Sequence, residues 1–212
     1  MDPVAERVVL QQFAKAPEPG RVKTRMLSQL SAAEACALHS ELVLWTCETL
    51  FESALGAVEL WVAGDAGHAL FRDCTSLGQL VLRQQAGADL GERMRHALND
   101  GLARADRVLL VGSDCPGLGG RYLQQALAAL DAADLVLGPA LDGGYVLIGA
   151  KRPVDAVFDG VDWGSSRVLA ETLARAQAER LAVTRLQPLQ DIDRPGDLPH
   201  WQALRQQGRV RR

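Results

Sequence analysis

RVVLQQFAKAPEPGRVKTR, residues Arg7–Arg25, decides how this chain reads. Arg7–Phe13 is a short apolar run of the kind that forms a buried first strand. Four cations, Lys15, Arg21, Lys23 and Arg25, then surround a turn containing Pro17, Pro19 and Gly20. In an α/β protein, ligands bind in the crevice at the carboxyl ends of the strands. Successive backbone N–H groups around a glycine turn make an anion-binding nest, to which Lys and Arg add charge and donors. The spacing predicts a polyphosphate cradle. The alternative is a solvated loop that happens to be basic.

Outward from this segment, strand-like and helix-like stretches alternate. Ser31 opens a helix, with Glu34 completing a capping box and apolar residues at helical spacing to about Leu55. Val58–Ala63 alternates like a strand and stops at Gly64, and Gln79–Arg83 is a further short strand. Leu90–Ala105 has helical spacing, with Met94, Leu98 and Leu102 on one face. Arg107–Val111 (RVLLV) is a continuous apolar run, as in a central parallel strand buried on both faces. Arg121–Leu130 reads as a helix, and strands begin at Leu135 and at Tyr145. Ser165 is placed to cap a helix running to Glu179, a strand follows near Leu181–Leu186, and Pro195 fits the first turn of a last helix. The alternation predicts a single α/β domain over residues 1–212, with a mostly parallel sheet flanked by helices.

Composition excludes several classes. The chain has 212 residues, 48% of them hydrophobic and 23% charged, which suits one well-buried domain. A net charge of -3 gives no reason to expect nucleic acid as a partner. The basic residues from Arg205 to Arg212 read as a frayed, solvated tail. Cys36, Cys47, Cys74 and Cys115 form no CxxC pair, so neither structural zinc nor a disulfide framework is expected. No apolar stretch is long enough to span a bilayer, and no signal peptide is evident, so a cytoplasmic protein with reduced thiols is expected. Cys115 reads as a packing residue, since no helper base accompanies it.

Three acidic motifs follow strands. Gly112-Ser113-Asp114-Cys115-Pro116 leaves the buried run and puts Asp114 at its carboxyl end. That aspartate either caps a turn or ligates a hard cation, because Mg²⁺ is held by one or two carboxylates plus substrate phosphates. Gly138–Tyr145 contains Asp142-Gly143-Gly144, either a hairpin turn with Tyr145 packed in a strand or a loop approaching an acceptor. Asp191-Ile192-Asp193 sets two carboxylates on one side of an extended segment. They repel one another unless a cation or solvent intervenes. With Asp197 nearby, the alternative is an acidic helix N-terminus.

Together, KAPEPGRVKTRM (15–26), GSDCPGL (112–118), GPALDGGYVLIGA (138–150), DWGSS (162–166) and DIDRPGDL (191–198) resemble the DUF2064 family, described as glycosyltransferases of the GT-A-like, nucleotide-diphospho-sugar transferase fold. The resemblance spans about Val8–Leu198. The KTR, SDxP and DID elements are also similar, more distantly, to 2-phospho-L-lactate guanylyltransferases, which move a nucleotidyl group. Only Asp114, preceded by Ser113, stands where glycosyltransferases carry a DxD.

The resemblance implies a transferase that uses a nucleotide-sugar donor, with a nucleoside triphosphate donor as the alternative, and a small-molecule acceptor. It implies that Lys15, Gly20, Lys23, Thr24 and Arg25 hold the donor phosphates. Mg²⁺ or Mn²⁺ would lie between Asp114 and Asp193, with Asp191 behind them. Lys23, Arg25 and Asp114 would stabilise the charge developing in the transition state, and Asp142 is the candidate base toward an acceptor hydroxyl. Gln84–Met94 would border the nucleotide. Trp163 either lines the acceptor side or belongs to the core.

Overall fold

The structure, a computed structural model, describes residues 7–210. Its centre is a seven-stranded sheet in the order β3-β2-β1-β4-β6-β5-β7. The strands are β1 (Val8–Lys15), β2 (Ala57–Ala63), β3 (Leu80–Gln84), β4 (Arg107–Val111), β5 (Leu135–Pro139), β6 (Tyr145–Ala150) and β7 (Val183–Arg185). All neighbours pair in parallel except β6, which is antiparallel to both β4 and β5. The hairpin reading of Asp142-Gly143-Gly144 is therefore right as to backbone: the turn joins β5 directly to β6.

The described residues include six α-helices: α1 (Ala32–Ser53), α2 (Ala69–Ser76), α3 (Leu90–Leu102), α4 (Gly120–Ala129) and α5 (Val168–Ala178) flank the sheet, and α6 (Leu198–Val210) packs on α1 and Ile192. Strand β4 shows why a continuous apolar run belongs at the centre. Val108 and Leu110 join a core beneath α3 and α5, whereas Leu109 and Val111 join one beneath α4. Successive side chains of a strand point to opposite faces, so a strand covered on both sides has no polar position to spare. No helix among the described residues is long and apolar enough to cross a membrane.

Local signals set the helix starts. Ser31 accepts from the Glu34 N–H while Glu34 reaches back to the Ser31 N–H, satisfying two otherwise unpaired donors. Asp89 caps α3 through the Glu92 N–H. Helix α5 departs from the expected start. It begins at Val168, and Ser165 instead accepts from the Arg167 N–H in a turn before the helix. The segment is held back by the β5–β6 hairpin, whose Gly143 carbonyl accepts from the Leu169 N–H.

Buried polar side chains tie the inner strands to their neighbours. Glu59, 2% exposed on its side chain, faces Arg104 at 2.8 Å and Arg83 at 3.4 Å and accepts from Trp61 and Gln11. Gln12 donates to Ser113, which donates to the Phe13 carbonyl, so the base of the Asp114 loop is tied to β1. The four cysteines are free. Burial pushes the Cys115 thiol up to about 12, which fits its packing role. The basic tail differs from expectation at its first residue: Arg205 lies on α6, pairs with Glu41 at 3.0 Å and covers the Trp201 ring. Arg211 and Arg212 lie outside the described residues.

Candidate active site

Strands β1, β4, β5 and β7 run in one direction, so their carboxyl ends share one edge of the sheet. The segments that leave these ends are the motifs singled out in the sequence. The loop after β1 contains Gly20 at φ +77° and continues to Lys23 at φ +48°, an uncommon left-handed position for a residue with a side chain. A short 3-10 turn, Thr24–Met26, follows and leaves Thr24 and Arg25 exposed. Lys15 is exposed, and its ammonium donates to the Arg21 carbonyl at 3.0 Å. The Lys15 carbonyl faces Nε2 of buried His39 at 2.8 Å. Arg21 pairs with Glu18 at 3.3 Å in solvent.

The cations expected on phosphates and the carboxylates expected on metal meet one another. Lys23 is buried, and its ammonium lies 2.8 Å from Oδ1 of Asp114 while also donating to the Ile192 carbonyl. Arg25 pairs with Asp193, a contact that raises the guanidinium pKa. Ile192 is fully buried among Met26, Leu38, Leu42 and Trp201, and its N–H donates to the Asp114 carbonyl at 2.8 Å. One apolar side chain thus anchors the acidic segment, and its two backbone groups bind the other two motifs.

Asp191 differs from its neighbours. Among the described residues it has no ion-pair partner, and its carboxyl is pushed up to about 6, first by burial and then by the charges of Asp142, Asp193 and Asp114. The charges of Asp142, Asp193 and Asp114 thus reach Asp191, the carboxylate that the resemblance places behind the metal. Among the described residues no three His, Cys, Asp or Glu side chains form a ready cage for a metal. The donor set suits a hard cation that brings phosphate oxygens with it, since such sites use only one or two carboxylates. Oδ1 of Asp114 is buried although its side chain is 48% exposed, so the remainder of that carboxylate opens to the cleft.

Beside this group lies a cavity of about 290 Å³. Its walls include Trp163 and Tyr145, whose rings meet edge to face with centroids 6.5 Å apart. Trp163 also stacks at a tilt on buried Phe158, 6.3 Å between centroids, so it is at once cavity wall and core residue. Gly91 of α3 packs flat against its indole: a Cβ there would lie 2.5 Å from the ring. Asp142 borders the same cavity, and its Oδ1 accepts from the Gly144 N–H at 2.9 Å. Gly143 needs its φ of +94° and its missing side chain, because a Cβ would lie 2.1 Å from the Ser166 carbonyl oxygen. Leu90 and Met94 supply apolar wall, and Arg25 and Arg194 supply charge. Upstream in the same Gln84–Met94 stretch, Gln85 donates to the carbonyls of Ala14 and Trp61, joining β1 to β2. Arg194 had escaped the sequence reading, although its position directly after the DID triplet was a signal for it.

The seven-stranded, mostly parallel sheet flanked by helices matches nucleotide-diphospho-sugar transferase-like structures. A solved protein of Desulfovibrio desulfuricans G20, provisionally named a nucleotide-diphospho-sugar transferase, is 33% identical with a TM-score of 0.80, over 88% of this chain and 82% of that one. The 4-diphosphocytidyl-2C-methyl-D-erythritol synthase of Anaerococcus prevotii DSM 20548 shares the fold at 11% identity and a TM-score of 0.63, over 95% of this chain and 96% of its own. Rv0371c of Mycobacterium tuberculosis H37Rv, solved in complex with manganese, does so at 16% identity and 0.56, over 92% and 97%. No curated protein matches the sequence. The chain belongs to DUF2064, a family described as uncharacterized protein conserved in bacteria, whose profile matches residues 46–165.

Proposed function

We propose that this protein is a transferase acting on a nucleotide-activated donor, and that the donor is a nucleotide-diphospho-sugar. The observation that carries this reading is the meeting of Lys23, Arg25, Asp114 and Asp193 at the carboxyl edge of the sheet, beside a walled cavity for a second substrate. Cleaving a donor at its diphosphate builds negative charge on phosphate oxygens, and preorganised cations aimed at that charge lower the barrier. Lys15 and Arg25, both exposed, would turn onto the donor phosphates by giving up the Arg21 carbonyl and Asp193 respectively, and the Gly20 turn offers backbone N–H groups. Lys23 acts through Asp114, fixing that carboxylate toward the cleft. Asp114, with Asp191 or Asp193, would hold a divalent cation. When bound, that ion supplies charge neutralisation to the leaving diphosphate. The relative from Desulfovibrio desulfuricans supports the sugar reading by its name and its 33% identity.

In this reaction the acceptor hydroxyl attacks the anomeric carbon, the bond from that carbon to the diphosphate oxygen breaks, and Asp142 takes the hydroxyl proton. The products are a glycosylated acceptor and a nucleoside diphosphate. A second reading, nucleotidyl transfer from a nucleoside triphosphate with release of pyrophosphate, is favoured by one observation: two guanidinium groups, Arg25 and Arg194, border the cavity where a phosphorylated acceptor would sit. Incubation with Mg²⁺ or Mn²⁺ and a panel of nucleotide sugars and free triphosphates separates the two. Release of nucleoside diphosphate from a nucleotide sugar supports the first. Pyrophosphate from a triphosphate replaces it with the second. Absence of binding to either donor class overturns both.

A further inference from the structure

Resting on the reading of a donor and an acceptor site, we infer that the cavity between Trp163, Tyr145 and Arg194 binds the acceptor through an anionic group, phosphate or carboxylate, held by Arg194. Arg194 is exposed at the cavity and has no ion-pair partner among the described residues. Its neighbour Arg25 is already answered by Asp193. A guanidinium has five donors and no acceptor, so the ligand group that best matches it is a planar or tetrahedral anion taken up bidentately. The cavity lining includes none of Lys15, Gly20, Lys23 or Thr24, so this position is separate from the phosphate cradle and shares only Arg25 with it.

Each wall of the cavity suits a different part of such a molecule. Trp163 and Tyr145 give a flat, rigid surface to its carbon frame, and Leu90 and Met94 add apolar wall. Asp142 presents a carboxylate that, among the described residues, accepts a hydrogen bond from the Gly144 N–H alone, which suits a hydroxyl donor. The two charged groups divide the ligand: the anion goes to Arg194 and a hydroxyl to Asp142. A neutral acceptor would forgo the charge-assisted contact that Arg194 offers, and a volume of about 290 Å³ suits a small molecule.

The test measures binding to the full chain by ligand-observed NMR with three matched probes: phenyl phosphate, benzoate and benzyl alcohol. The first two separate phosphate from carboxylate recognition, and the third is neutral. At least one anionic probe is expected to bind about tenfold more tightly than benzyl alcohol, the usual size of one charge-assisted contact. Arg194→Gln should abolish that difference and Arg194→Lys should keep part of it, while nucleotide affinity stays within about twofold. Binding should also persist under saturating nucleoside diphosphate. Displacement of the anion by nucleotide, or its indifference to Arg194→Gln, places it in the phosphate cradle and overturns the inference. Equal binding of all three probes, or of none, overturns it as well. If no nucleotide binds but the anion still depends on Arg194, the cavity assignment stands and the donor reading falls.

Discussion

The ammonium of Lys23 lies 2.8 Å from Oδ1 of Asp114, and the two side chains differ sharply in exposure, 2% against 48%. A lysine assigned from sequence to the donor phosphates is thus an interior tie between the first loop, the Asp114 loop and the Asp191–Asp193 segment. Lys23→Met should leave the Ile192 carbonyl without its donor and Asp114 without its countercharge. The expected cost is about 1–3 kcal/mol, less than for a fully buried pair because Asp114 stays half in solvent. At roughly 2–4 °C per kcal/mol for a chain of this size, calorimetry resolves the change. Adding Asp114→Asn should recover part of the loss; strictly additive effects would show that the two residues do not act as a pair.

Asp114→Asn and Asp142→Asn separate positioning from proton transfer. The first should lower turnover by ~10²-fold or more with the fold retained, since the amide keeps its shape and its Oδ1 acceptor but loses the charge. The second should lower kcat while donor affinity holds nearly constant, as expected of an interaction made only in the transition state. Full activity in the Asp114 variant together with an early melt would leave Asp114 a turn residue and nothing more. A silent Asp142 change alongside pyrophosphate release would favour nucleotidyl transfer.

Gly91→Ala is a remote probe of the cavity. Its new Cβ would lie 2.5 Å from the Trp163 ring, so the indole must move. A loss of about 1–3 kcal/mol is expected from overpacking. Weaker acceptor-side binding should accompany it, with nucleotide affinity unchanged. Wild-type stability and binding in this variant would mean that α3 yields and Trp163 does not.

Asp134 gives a stability test with a defined pH window. Arg152 at 2.8 Å, and then the Ala182 N–H, hold its carboxyl down to about 2 against an ordinary 3.8. Because the folded pKa is depressed, its stabilisation is fully present above about pH 4 and is lost as pH falls through 2. Asp134→Asn should therefore lower the melting temperature at pH 7, and the gap to wild type should close progressively below pH 4. A gap that is constant from pH 7 to pH 2 would show that the amide loses something other than the charge.

Much of this structure was legible from short windows. The Ser31–Glu34 box, the Gly64 stop and the apolar run at Arg107–Val111 act through neighbours a few residues apart, and each is found where its pattern put it. Helix α5 starts later than its Ser165 signal predicts because Ser166 and Leu169 are held against a hairpin some twenty residues earlier, while Ser165 closes a turn with Arg167. Asp191 and Arg194 were undervalued for a related reason: their surroundings come from Asp142, Asp114 and Trp163, none of which is a sequence neighbour.

The sequence by itself determined the α/β class, the family, and the list of charged residues that follow strands, because hydrophobic period, capping chemistry and motif order are properties of local segments. Only the tertiary structure decided which charges face each other. Lys23 meets Ile192 across 169 positions and Arg25 meets Asp193 across 168, and both contacts exist only because the sheet order β1-β4-β6-β5-β7 brings those loops to one edge. Burial then sorted the side chains: Ile192 enters the core and carries its backbone groups to Asp114 and Lys23, leaving Asp191 half-buried among like charges, where burial and repulsion both disfavour its ionised form.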